Sequence, residues 1–161
     1  EHLFDRSAAP ALLGRYFANA VEGAGAAPLA LPAQHERLEG ALAFEWRLYD
    51  DGEMPGWFAA RPSTMEWHGT VDLGADGGAV LRLDASSPTE VYVAGQLVVA
   101  AGGANATPVD RMLAEVTGVV PILVRTRRPA DDNVEYWKLR LLWRTDGGGW
   151  TAVGAYAPPL T

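Results

Sequence analysis

The sequence predicts an all-β fold, an antiparallel β-sandwich, and three observations carry that prediction. Strand-length apolar runs recur at short intervals, each closed by Gly, Pro, Asp or Asn. Within the runs, side chains alternate with period two. In residues 134–143, Trp137, Leu139, Leu141 and Trp143 fall on one face, and Lys138, Arg140 and Leu142 fall on the other. No stretch carries the apolar spacing of an amphipathic helix of several turns.

The first strand covers residues 12–18. From Asn19 to about Gly40 the chain is rich in Ala, Gly and Pro and is expected to be an irregular excursion over the surface. A strand over 42–46 precedes a turn-rich loop that contains Asp50-Asp51-Gly52 and Met54-Pro55-Gly56. Further strands are expected over 64–73, 79–84, 90–93, 97–100, 111–116, 119–127 and 134–143. Leu81 and Leu83 oppose Arg82 and Asp84; Ile122 and Val124 oppose Arg125 and Arg127. Gly147-Gly148-Gly149 is expected to be a hairpin connection, and Pro158-Pro159 suits a domain end. Trp67, Trp137 and Trp143 are read as core, where each ring locks the sheets together. Gly69 and Gly95 are read as turn or bulge positions.

Length favours one domain over 1–161, and a chain that begins at Glu1 is expected to be part of a larger protein. The balance of 13 basic against 20 acidic residues opposes nucleic-acid binding, which needs a cationic surface. The absence of cysteine removes disulfides, thiolate metal sites and a cysteine nucleophile. No apolar run reaches the roughly 18 residues that would span a bilayer, and Pro28 and Pro32 interrupt the stretch 24–33. His2, His35 and His68 lack metal-ligand spacing, and neither a Gly-x-Ser-x-Gly elbow nor a phosphate-cradling glycine loop occurs. No catalytic residue is therefore assigned.

Six motifs follow one another along the chain: Leu13-Gly14-Arg15-Tyr16-Phe17, Phe44-x-Trp46, Trp67-x-Gly69, Val91-Tyr92-Val93-x-Gly95, Gly118-Val119-Val120-Pro121-Ile122 and Arg140-Leu141-Leu142-Trp143. In this order they resemble the protective-antigen-like β-sandwich domain family over nearly the whole chain. The resemblance implies a non-catalytic accessory module of an extracytoplasmic, bacterial, carbohydrate-active protein, a membrane glycosyltransferase or a glycosidase. The implied partners are a glycan and the other domains of the parent. The alternative is a structural or protein-interaction module that positions a catalytic domain without touching sugar. In the family, the turn before the Val-Tyr-Val strand often carries Asp-Asp-Gly, where some members hold calcium and a sugar. Here it reads Ala85-Ser86-Ser87-Pro88, beside the single carboxylate of Asp84. Calcium takes six to eight oxygens, so no metal or other cofactor is expected.

The candidate ligand residues are Asp84, Ser86 and Ser87 in this turn, with Asp131, Asp132 and Asn133 in a late connection and Trp57 in the Gly-Pro-rich loop. Hydroxyls, carboxylates and an amide suit sugar hydroxyls. Trp57 and Phe58 suit either stacking on a sugar ring or covering the sandwich edge. Arg82, Arg125, Arg127, Arg128, Lys138 and Arg140 are candidates for a basic stripe on one sheet face. Asp84 and Glu135 interrupt that stripe, so a solvated outer face is the favoured reading. Asn105-Ala106-Thr107 matches an N-glycosylation acceptor, followed directly by Pro108.

Overall fold

Period-two alternation places every second side chain on an inner face, and two sheets meet along those faces. The computed structural model describes residues 12–17, 25–47, 63–75, 77–128, 136–145 and 148–154. These contain eleven strands and no helix: β1 (Leu12–Phe17), β2 (His35–Glu39), β3 (Ala43–Arg47), β4 (Ser63–Asp72), β5 (Ala79–Ala85), β6 (Thr89–Val93), β7 (Gln96–Ala101), β8 (Val109–Leu113), β9 (Val119–Arg128), β10 (Tyr136–Arg144) and β11 (Thr151–Ala152).

One sheet has the order β2-β1-β4-β9-β6-β7; the other runs β11-β10-β5-β8, with β3 also pairing β10. All pairings are antiparallel. Between the sheets, Leu12, Met65, Trp67, Val91 and Val124 meet Leu81, Leu83, Trp137, Leu139 and Leu141, all buried. Phe44 joins the layers: its ring stacks on Trp67 at 5.6 Å and lies 6.5 Å from Trp137. Truncating an aromatic ring at such a site costs about 3–5 kcal/mol, so these rings hold much of the stability.

The strands expected from alternation are present, with the one expected over 111–116 displaced to Val109–Leu113; Trp67 and Trp137 are fully buried as expected, and Trp143 is partly buried against the same core. Three expectations are corrected. The excursion 19–40 includes the edge strand β2, paired with β1 from Leu12↔Glu39 to Tyr16↔His35. Its sequence, His-Glu-Arg-Leu-Glu, turns Leu38 to solvent and charged residues inward, the reverse of a core strand. A short β11 follows the glycine connection. Gly69 introduces no bulge, because the β4–β9 register is unbroken from Ser63 to Asp72. The irregularity lies in β6–β7, between Val91 and Tyr92. Gly95 does occupy a turn, at φ 81°.

Candidate functional site

The two ends of the sandwich differ. At one end the connections are short: 40–42, 73–78, 94–95, 114–118 and 145–150. At the other end, five connections leave and return: 18–34, 48–62, 86–88, 102–108 and 129–135. Pairing of Phe17 with Thr64, Ser63 with Arg128, Thr89 with Ala101 and Thr126, and Tyr136 with Arg47 fixes these strand termini together. Trp57 and Asp131, Asp132 and Asn133 belong to two of these connections, and they lie outside the described residues.

The β5–β6 turn crosses here from one sheet to the other. The Ser86 hydroxyl accepts from Lys138 N–H (2.9 Å) and lies 3.2 Å from the Lys138 carbonyl, so it closes the turn onto β10. Ser87 faces inward. Its hydroxyl accepts the indole N–H of buried Trp137 at 3.1 Å, and the side chain is enclosed by the core. The Thr89 and Thr126 hydroxyls, 2.9 Å apart, cap the carbonyls of Ser87 and Pro88. Gly102 packs across the turn at φ 117°, where a Cβ would stand 2.2 Å from the Ser87 carbonyl oxygen. Only glycine accepts both the conformation and the approach.

Asp84 points to the outer face of its sheet and pairs with Lys138 Nζ at 3.0 Å. The described side chains of this turn therefore offer one carboxylate, already matched to an ammonium, and one outward hydroxyl. That set does not fit a calcium ion. Asp84 and Ser86 are brought together on Lys138, while Ser87 is turned away from them.

The six cations read as one stripe are divided. Arg82, Lys138 and Arg140 lie on one outer face, paired with Asp110, Asp84 and Glu45. The guanidiniums of Arg82 and Arg144 also stand 4.3 and 4.6 Å from the Trp150 ring centre. Arg125 and Arg127 belong to the outer face of the other sheet, and Arg128 is buried. The solvated-face reading fails for Arg125, which is 0% exposed. A cross-strand row explains it: Glu36, Arg15, Glu66, Arg125 and Glu90 face one another in register on β2, β1, β4, β9 and β6. Arg125 Nε donates to Glu66 at 2.8 Å, and Arg15 stands 3.5 Å from the other Glu66 oxygen. Residues 25–31 lie over the middle of this row. Alternation marks Glu66, Arg125 and Glu90 as outward, but pairing register and the covering segment are tertiary facts.

A second polar group lies at the β2 edge. The Tyr16 hydroxyl donates to Glu39 and accepts the Trp67 indole N–H at 3.2 Å; Arg37 Nε is 2.5 Å from the same Glu39 oxygen. Burial, and then the hydrogen bond to Glu39, push the Tyr16 phenol far above its ordinary value. It therefore remains a donor. Among the described residues no group of three or more His, Asp and Glu side chains is placed to hold a metal.

No family model matches this chain, and no curated protein matches it by sequence. Solved structures do. An anti-sigma factor domain-containing protein from Clostridium clariflavum superposes with a TM-score of 0.66 at 12% identity, over 94% of this chain and 49% of that one. A second anti-sigma factor domain-containing protein gives 0.71 at 15% identity, over 95% and 50%. A PA14 sugar-binding domain from an RTX adhesin gives 0.58 at 17% identity, over 90% and 95%. The chain has the PA14-type fold. This is the protective-antigen-like sandwich that the motifs resemble, and it spans about half the length of the first two structures. At these identities the PA14-type likeness establishes architecture, and chemistry has to be argued from the site.

Proposed function

We propose that this domain is a non-catalytic, carbohydrate-binding module that recognises glycans, without calcium, through the five connections gathered at one end of the sandwich. The observation that carries the reading is that asymmetry of the two ends in a fold shared with a sugar-binding PA14 domain. Asp84 and Ser86 present a carboxylate and a hydroxyl beside Lys138, a donor–acceptor set suited to sugar hydroxyls. Ser87 supports the site from beneath through Trp137. Asp131, Asp132, Asn133 and Trp57, in two other connections of this end, are assigned to the same ligand by residue type, since carboxylates and an amide suit sugar hydroxyls and an indole suits a sugar ring. The module serves an extracytoplasmic carbohydrate-active parent, a glycosyltransferase or glycosidase, whose other domains are its partners in the chain.

Glycan-array binding with and without calcium tests this. Binding that persists in chelator and falls at least about ten-fold, roughly 1.4 kcal/mol, in Asp131→Ala, Asp132→Ala or Trp57→Ala supports the reading. Absence of any glycan ligand, with parent activity that depends on the domain being present, would assign it instead to positioning a catalytic domain.

A further inference from the structure

Residues 25–31 cover the charged row on the six-stranded sheet through their main chain. Arg125 donates to the carbonyls of Gly25 and Ala27, each at 2.8 Å. Arg15 donates to those of Leu29 (2.7 Å) and Leu31 (2.6 Å). Between them, the Leu29 N–H donates to both Glu66 oxygens at 3.1 Å. Two guanidiniums thus read every second carbonyl over seven residues, and one carboxylate reads the amide at their centre. Of the seven side chains only Leu29 is buried; the others are exposed. The sheet recognises a polypeptide backbone here, with one apolar anchor.

Recognition of this kind is open to exchange. Glu66 and Arg125 are fully buried beneath the segment, and burial of ions is opposed by their lost hydration. Lifting the segment returns water to both, which offsets the hydrogen bonds lost. Closure is then set by a balance of opposing effects, and another backbone that offers the same carbonyl spacing would compete for the same groups.

We propose that the outer face of the β1–β4–β9 region is a binding site for the main chain of a peptide, filled in cis by residues 25–31. It shares the 18–34 connection with the loop-end glycan site, but it lies on the sheet face and the ligand class is different. The chemistry calls for a segment with an unmethylated central amide and a medium-sized apolar side chain on that residue. Flanking side chains are little restricted.

The test uses the whole chain and a labelled acetyl-Gly-Ala-Ala-Pro-Leu-Ala-Leu-amide peptide. Leu29→Asp sets a carboxylate beside Glu66 and loosens the segment without altering the sheet. Fluorescence anisotropy should show the peptide bound at least ten-fold more tightly by Leu29→Asp than by the unsubstituted protein. N-methylation of the peptide's first Leu, which removes the N–H that Glu66 accepts, should weaken binding at least ten-fold. A Leu29→Asp protein with intact far-ultraviolet dichroism that does not bind the peptide overturns the proposal; so does equal binding of the N-methyl peptide, or binding of glycans alone. Hydrogen exchange on the unsubstituted protein gives a reading that does not depend on the variant's folding. The Leu29 amide should exchange at least 100-fold faster than those of Trp67 and Val124. Equal protection at all three would mean that the segment opens only on global unfolding, and the site would not exist.

Discussion

Substituting Gly102 by Ala examines the β5–β6 turn and the fold beneath it at once. The added Cβ would lie 2.2 Å from the Ser87 carbonyl oxygen and 3.0 Å from its carbon, where ordinary contact begins at 3.4 Å. Relief requires movement of backbone by about 1 Å, because neither neighbour is a flexible side-chain tip. The Ser87 carbonyl is held by the Thr89 hydroxyl at 2.8 Å, and the Ser87 side chain by Trp137, so the turn resists moving away. Overpacking of this kind costs about 1–3 kcal/mol. An alanine at φ 117° adds roughly 1–3 kcal/mol of backbone strain. Together these predict a loss of about 2–6 kcal/mol, and a fall in melting temperature of at least about 5 °C for a chain this long. Gly103→Ala is the matched control: nothing lies within 4 Å of its Cβ. It should be neutral or slightly stabilising, by about 0.4–1 kcal/mol, through a less flexible unfolded chain. Urea and thermal unfolding followed by tryptophan fluorescence measure both. A Gly102→Ala protein within about 0.5 kcal/mol of Gly103→Ala would refute the packing of the 102–103 connection against the turn, and with it the position given to Ser86.

Three further outcomes are expected. Glu66→Leu or Arg125→Met alone should cost about 3 kcal/mol or more by leaving the other ion buried; the double variant should regain most of that loss in chemical denaturation. Tyr16→Phe leaves the Trp67 indole N–H without its acceptor and the Glu39 carboxylate with Arg37 but no phenol donor, a loss of about 1–3 kcal/mol in the same assay. The folded chain also holds the Tyr16 proton above the ordinary phenol value of 10.0, whereas the unfolded chain releases it there. The stability tied to keeping this buried, hydrogen-bonded phenol protonated is present in full below about pH 10 and declines as pH rises further, by up to about 1.4 kcal/mol per pH unit. Stability measured between neutral and strongly alkaline pH should show this slope, and Tyr16→Phe should remove it. Ser87→Ala removes the hydroxyl that accepts from the buried Trp137 indole and should cost about 1 kcal/mol without touching the outer surface, as thermal unfolding would report.

Most strands were legible because each has one buried face, and period-two alternation follows directly from burial. In β10 the alternation named the buried residues correctly from Trp137 to Leu141. It failed at β2, whose inward positions are His35, Arg37 and Glu39; there the apolar rule is inverted at a sheet edge, and the stabilising contacts are a phenol, a carboxylate and a guanidinium. The turn at Ser86 and Ser87 was found through a family pattern. The opposite orientations of these neighbouring serines depend on Trp137 and Lys138, about fifty residues away. Arg125 shows the same limit. Its outward direction follows from Val124, but its burial follows from residues 25–31, which no local pattern connects to β9.

The charged row bears on how the chain selects among its own alternatives. Alternation prevents a strand from slipping by one residue, because that would expose its apolar face. A slip by two residues keeps every face correct and leaves the hydrophobic pattern unchanged. Moving β1 by two along β4 in either direction would set Leu13 or Phe17 opposite Glu66 in place of Arg15. A carboxylate would then be enclosed beside an apolar neighbour on that side, a penalty that the apolar core cannot supply. Replacing the row with apolar side chains is therefore expected to give strands that pair firmly in more than one alignment.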